Sequence, residues 1–128
     1  MTSVKIKCPV KPSEDEEKVR SAILSIFPDA DLSMNDGLYE GSASLDRFSK
    51  LIRKQKILDA TRAVLITNVR GNTTTMMINK QVATVGKVSF ADRRPVLGAL
   101  EVFIEDDDII GLIDRVAPVT VDGEEVIA

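Results

Sequence analysis

Three adjacent polar residues, Asn79, Lys80 and Gln81, stand between two apolar runs of β-prone residues. Successive side chains of a strand point to opposite faces, so the three cannot all point away from a sheet. A lysine between two amides offers a cation and several hydrogen-bond donors, which suits a phosphate or an RNA 2′-hydroxyl. The same residues could instead satisfy main-chain groups at a β corner. The sequence leaves these two interpretations level.

Positive charge is concentrated in the middle of the chain. Residues 47–94 contain 11 basic and 2 acidic side chains, although the whole chain has a net charge of −3. Four cations lie on or directly after one predicted helix, with no acid among them: Lys50, Arg53, Lys54 and Lys56. Such a run can follow a phosphate backbone, because cations supply the sequence-independent part of nucleic-acid affinity. A solvated helix face is the alternative interpretation.

The predicted RNA-contacting set combines the two regions. It consists of Lys50, Arg53, Lys54, Lys56, Arg62, Asn79, Lys80, Gln81 and Lys87. The five aromatic residues of the chain fall mostly at predicted core positions, which leaves few rings for stacking on single-stranded bases. We therefore expect contacts to the backbone and shape of structured or duplex RNA.

An enzymatic role has little support in the sequence. The chain has no histidine and one cysteine, Cys8, which excludes His-dependent nucleophiles and His- or multi-Cys metal sites. Lys80 and Asp59 remain as acid–base candidates for a phosphorylated small molecule, but no nucleophile, metal set or cofactor motif accompanies them. We predict no catalytic residues, no metal and no cofactor.

Two further motifs have ordinary explanations. Gly86-Lys87 does not complete a phosphate loop, because Gln81 and Val88 stand where that loop needs glycine and serine or threonine. The acidic run 106–108 is typical of a helix start.

Length and composition predict a single domain over residues 1–128, with 119–128 as a flexible tail or an edge strand. The sequence has no apolar run near the ~20 residues that a membrane-spanning helix needs. A single cysteine is typical of a protein from a reducing compartment, so we expect a cytoplasmic protein without a membrane partner.

The hydrophobic periodicity predicts an α+β fold with a mainly antiparallel sheet backed by helices. The expected order is strand, helix, two strands, two helices, three strands and a last helix. Strands 74–79, 86–90 and 98–105 have connections too short for crossovers, so we expect them to form a C-terminal β-meander.

Local signals place the helices and turns. Ser13 and Glu16 match a capping box for the first helix. Asn35-Asp36-Gly37 predicts a hairpin turn. A helix over about 56–70 should end near Gly71, with Asp59 and Arg62 side by side.

Five stretches together resemble an archaeal family of uncharacterised proteins with an inferred RNA-binding role, whose fold is similar to that of the 5S rRNA-binding ribosomal protein. The matching pieces are PVKPSEDEEKV at 9–19, IFPDA at 26–30, IRKQKILDATR at 52–62, INKQVATVGKVSF at 78–90 and APVT at 117–120. The family's LNKQAA is INKQVA here, and its ILDTAR is ILDATR. Met76-Met77 stands where the family generally has polar or aromatic residues, which weakens any base-stacking role. The resemblance implies an α+β domain of an archaeal cytoplasm, without an established activity.

Three hypotheses follow. The first is a non-enzymatic RNA-binding domain, and the second is an interaction module that uses its segregated charge to form a homodimer or a protein complex. The third and least favoured hypothesis is an enzyme that acts on a phosphorylated small molecule. One structural observation would best distinguish a binding site from a structural joint: whether the side chains of Asp59, Arg62 and residues 79–81 lie close together.

Overall fold

A computed structural model describes residues 2–91 and 98–121, and the backbone of 124–125. Its elements in chain order are β1 (Ser3–Pro9), α1 (Glu16–Ile26), β2 (Asp31–Asn35), β3 (Leu38–Ser42), α2 (Asp46–Lys54), α3 (Leu58–Thr67), β4 (Thr73–Ile78), α4 (Lys80–Ala83), β5 (Leu100–Glu105), α5 (Ile109–Val116), β6 (Thr120–Val121) and β7 (Glu124–Glu125). No helix of these described residues is long and apolar enough to cross a membrane.

The main sheet has five antiparallel strands in the order β2-β3-β1-β5-β4. Burial alternates along β1, β4 and β5, so one face packs on the helices and the other faces solvent. The buried face joins the apolar sides of the helices in one core cluster, which includes Ile6, Met76 and Val102. The predicted α+β class with an antiparallel sheet is confirmed.

The prediction of a three-stranded meander is wrong for its middle strand, residues 86–90. β4 pairs directly with β5, from Thr73 opposite Glu105 to Ile78 opposite Leu100. Residues 86–90 contribute only an isolated bridge between Ile78 and Phe90. The reason is the short helix α4, which turns the chain away from the sheet before it can form another strand.

Several predicted helix and turn signals are confirmed, and others shift. The hairpin turn is present, with positive φ at Asp36 (50°) and Gly37 (73°). Asp108 caps α5, where its Oδ1 accepts a hydrogen bond from the Gly111 N–H at 3.0 Å. The capping box is wrong, because Asp15 caps α1 by accepting from the Glu17 N–H.

The third helix is shorter than expected, since α3 ends before its cap residue Asn68 and not at Gly71. Lys56, with φ of 59°, separates it from α2. In the C-terminal tail, β6 and β7 pair with each other and form a separate two-stranded sheet. The rest of the tail (122–123 and 126–128) lies outside the described residues.

Gly41 allows β2 and β3 to approach closely. A Cβ atom at this position would overlap the Asp31 carbonyl oxygen and lie 2.8 Å from the carbonyl carbon, and both are backbone atoms that cannot move alone. We expect Gly41→Ala to lower the free energy of unfolding by about 1–3 kcal/mol, measured by urea denaturation. Ser42→Ala, at an exposed position of the same strand, is the control. Equal stability of the two variants would contradict the close approach.

Candidate nucleic-acid interface

The helix α2 separates apolar and basic residues. Phe48, Leu51 and Ile52 are buried in the core. Arg47, Lys50 and Lys54 are exposed, and they follow one another at spacings of three and four residues, which places them on one side of a helix. The predicted basic helix face is therefore present at Lys50 and Lys54, and Arg47 belongs to the same face.

Arg53 belongs to the same helix but faces α5. Its guanidinium donates hydrogen bonds to the carbonyl oxygens of Ser49 (3.2 Å), Arg115 (3.1 Å) and Val116 (3.3 Å). Two of these carbonyls belong to the last turn of α5, where a cation is favourable. Arg53 thus holds α2 against α5, and its guanidinium is already engaged inside the protein.

Gln55 brings a second basic segment to the end of α2. Its side-chain amide donates to the Val88 carbonyl oxygen at 2.9 Å and accepts from the Val88 N–H at 2.7 Å. Val88 is buried, while Lys87 beside it is exposed, as are Lys54 and Lys56 on either side of Gln55. The two hydrogen bonds therefore place the backbone of Lys87 next to the C-terminal end of α2.

The exposed cations of α2 and of the two segments that meet at Gln55 are here named the basic ridge: Arg47, Lys50, Lys54, Lys56 and Lys87. None of the five forms an ion pair with another residue of the described part of the chain. Gln55, which assembles the ridge, was missed by the sequence reasoning. The one available signal was an amide side chain at a helix end between two lysines.

The triplet 79–81 does not form one polar patch. Asn79 caps α4, where its Oδ1 accepts from the Val82 N–H at 3.1 Å. The Lys80 side chain is only 6% exposed, and its Nζ donates to the Pro9 carbonyl oxygen (2.7 Å) and to Glu14 Oε1 (2.8 Å). Gln81 is exposed. The structural interpretation of Asn79 and Lys80 is therefore the better one, and Lys80 is not available at the surface.

Glu14 completes this buried joint between the first strand and α4. Burial alone would raise the pKa of Glu14, but a hydrogen bond from the Lys11 N–H and the Lys80 ammonium together outweigh it and lower the pKa. The carboxylate therefore stays ionised opposite Lys80. This also explains the failed capping box, because Glu14 is held by Lys11 and Lys80 and α1 begins after Asp15.

Arg62 and Asp59 do not converge with the triplet. Arg62 Nη1 lies 2.7 Å from Asp114 Oδ1 and donates to the Ala117 carbonyl oxygen at 3.2 Å. Asp59 accepts a hydrogen bond from the Thr120 hydroxyl. Both side chains tie α3 to α5 and the chain that follows it, whereas Lys80 binds the segment between β1 and α1. The predicted side-by-side pairing of Asp59 and Arg62 is replaced by these contacts.

The Lys80–Glu14 pair should be essential to stability. We expect Lys80→Met and Glu14→Gln each to lower the free energy of unfolding by about 3–5 kcal/mol, because each leaves a buried polar partner without its counterpart. The double variant should lose less than the sum of the two single variants, as a double-mutant cycle by chemical denaturation would measure. Strictly additive losses would show that the two groups do not interact.

The same pair should make stability depend on pH. A lowered pKa in the folded state stabilises above the ordinary value of 4.5, and this contribution is lost as the pH falls through the lowered pKa. We therefore expect the difference in melting temperature between the wild type and Glu14→Gln to shrink as the pH falls below about 4.5. A difference that stays constant down to pH 2 would contradict the ion pair.

Comparison with known proteins places this geometry in a family. A family model described as RNA binding matches residues 3–105. The UPF0201 protein of Sulfurisphaera tokodaii is 40% identical over 133 residues, which cover 96% of this chain and 92% of that protein. A UPF0200/UPF0201 protein of Archaeoglobus fulgidus is 38% identical over 127 residues, and this chain spans 39% of its length.

Solved structures agree with the fold. The crystal structure of a UPF0201 protein from Methanococcus jannaschii superimposes with a TM-score of 0.91 at 40% identity, covering 98% of this chain and 99% of that one. A DUF54 protein from Archaeoglobus fulgidus shares the fold alone, with a TM-score of 0.70 at 19% identity, covering 92% of this chain and 97% of that one. The likeness to the 5S rRNA-binding ribosomal protein stays a prediction.

Both the matching model and the full-length similarity lead to one conclusion: this chain belongs to the UPF0201 family of archaeal proteins, which carries an RNA-binding family model.

Proposed function

We propose that this protein binds structured RNA through the basic ridge, by contacts to phosphates, and without catalysing a reaction. The observation that carries the proposal is the Gln55–Val88 pair of hydrogen bonds, which adds Lys87 to the exposed cations of α2. Membership of a family described as RNA binding supports it.

The composition of the ridge indicates which part of RNA it contacts. All five side chains are cations, and Arg47 and Lys54 are separated by about 10 Å along the helix axis. A row of cations without an aromatic ring or an amide suits the phosphate backbone and carries no information about base identity. The chain has an overall charge of −3, so the attraction is local to the ridge.

The predicted contacts therefore change in part. Lys50, Lys54, Lys56 and Lys87 stay in the proposed interface, and Arg47 joins them. Arg53, Arg62, Asn79 and Lys80 support the fold through the contacts described above, and Gln81 is exposed on α4 without a role in the ridge.

The proposal predicts a specific effect of charge reversal. We expect Lys54→Glu/Lys87→Glu to weaken binding of an RNA hairpin by about tenfold or more at 50 mM salt. It should also reduce the slope of log affinity against log salt by about 1.5, because two phosphate contacts are lost. Filter binding or fluorescence anisotropy would measure both quantities.

A matched control separates the ridge from total charge. Lys18→Glu/Arg20→Glu makes the same change in net charge at exposed positions of α1 and should leave the slope unchanged. Equal losses in both double variants would overturn the assignment to the ridge. An ionic homodimer is the competing use of the segregated charge, and light scattering would detect it as a dimer that dissociates when salt is raised.

A further inference from the structure

The face of the main sheet that points away from the helices carries a partly exposed aromatic ring. Phe103 on β5 is 39% exposed. Lys5 on β1 and Thr75 on β4 lie directly opposite it, on its two sides. Two residues further along β5, Glu105 is flanked in the same way by Ser3 and Thr73. The six side chains belong to three adjacent strands and line a pocket of about 260 Å³.

The charge of this face argues against a phosphate backbone as its ligand. Two lysines, Lys5 and Lys7, share the face with four acids: Asp31, Glu40, Glu101 and Glu105. The pocket itself contains one lysine and one glutamate, so its net charge is zero. A neutral flat ring suits such a pocket better than a phosphate does.

The functional groups of the pocket match one nucleobase in particular. Aromatic side chains stack on unpaired bases, and proteins read such bases at their Watson–Crick edges. Glu105 lies about 7 Å from Phe103 along the strand, so its carboxylate can accept hydrogen bonds from the edge of a ring stacked on Phe103. Guanine alone presents two neighbouring N–H groups, N1–H and N2–H, which match the two oxygens of a carboxylate.

We propose that this pocket binds an unpaired guanine base, with Phe103 as the stacking surface and Glu105 as the acceptor for the Watson–Crick edge. The inference rests on the proposed RNA binding and deepens it. Lys5 lies beside the ring, where it can meet the phosphate of the same nucleotide. The Thr75 hydroxyl lines the opposite side as a donor to an acceptor atom of the base, whereas the Thr73 hydroxyl already donates to the Arg70 carbonyl oxygen at 2.7 Å.

In the free protein the Lys7 side chain lies over the Phe103 ring. Its ammonium lies 5.8 Å from the centroid of the Phe103 ring, as a cation attracted to the aromatic face. Lys7 is exposed and is directly opposite Glu40 on β3 and Glu101 on β5. The side chain can therefore move towards these carboxylates when a base stacks on Phe103.

The pocket and the basic ridge lie on opposite sides of the sheet and have different tasks. The ridge supplies affinity for the backbone, and the pocket supplies a preference for one base. β4 is the edge strand beside the pocket, so an unpaired loop can enter the pocket from that edge. Because the two surfaces share no residue, each can be tested without the other.

The test is an NMR titration of the ¹⁵N-labelled protein with the four ribonucleoside monophosphates, which share the phosphate and differ in the base. GMP should shift the amide signals of Thr75, Phe103 and Glu105 and bind about fivefold or more tightly than AMP, CMP and UMP. Phe103→Ala should weaken GMP binding by about fivefold or more, whereas Phe103→Tyr should retain it. Glu105→Gln should remove the preference for GMP.

Asp31→Asn is the matched control, because it removes one negative charge from the same face two strands away from the pocket and should change nothing. GMP shifts that map elsewhere, or a GMP preference that survives Glu105→Gln, would overturn the inference. It would also be overturned if Phe103→Ala converted a dimer into a monomer in light scattering and left the GMP titration unchanged.

The two proposals fail in different ways. RNA binding that depends on the ridge, together with no GMP shifts at the pocket, would leave the proposed function and overturn the pocket. If GMP binds at the pocket but charge reversal in the ridge leaves the RNA affinity unchanged, the pocket is supported and the proposed function is overturned. Lys54→Glu/Lys87→Glu should leave the GMP titration unchanged.

Discussion

The two hydrogen bonds between the Gln55 amide and the Val88 main chain hold together the surface on which the functional account depends. Residues 55 and 88 are far apart in sequence, and the segment 86–90 has little other pairing, since it reaches the sheet through a single bridge. An amide suits this position because it donates and accepts at once and so satisfies both main-chain groups of Val88. Together with the burial of Val88, these bonds hold the backbone of Lys87 beside α2.

The helix α4, which precedes residues 86–90, is held in place by a buried charge. Lys80 is buried and bound to Glu14 and to the Pro9 carbonyl oxygen, so α4 is fixed to the chain between β1 and α1. The basic residues discussed for the RNA interface thus divide into two groups with different physical tasks. Lys80, Arg53 and Arg62 have partners inside the fold and join its elements. The cations of the basic ridge project into solvent, where a phosphate can approach them.

Local patterns predicted much of the fold, because their causes are local. The alternation along β1, the apolar stripe of α2 and the turn at Asp36-Gly37 each follow from neighbouring residues, and each is present. The meander and the capping box failed, because their outcome depends on Lys80 and Glu14, which are 66 residues apart. The exposure of Phe103 was not predicted either. The positions of the five aromatic residues in the sequence do not show which face of the sheet the helices leave uncovered. For the same reason the sequence identified four of the five cations of the ridge as RNA contacts, but neither Arg47 nor Gln55, which holds Lys87 beside α2.

Electrostatic attachment of RNA to five exposed cations is the central claim, and its direct consequence is a dependence on salt. The decisive measurement is the affinity of the wild-type protein for an RNA hairpin between about 50 and 300 mM salt. Five phosphate contacts predict that the logarithm of the association constant falls by about 4 for a tenfold rise in salt. An affinity that does not change over this range, or no binding at the lowest salt, would contradict the account.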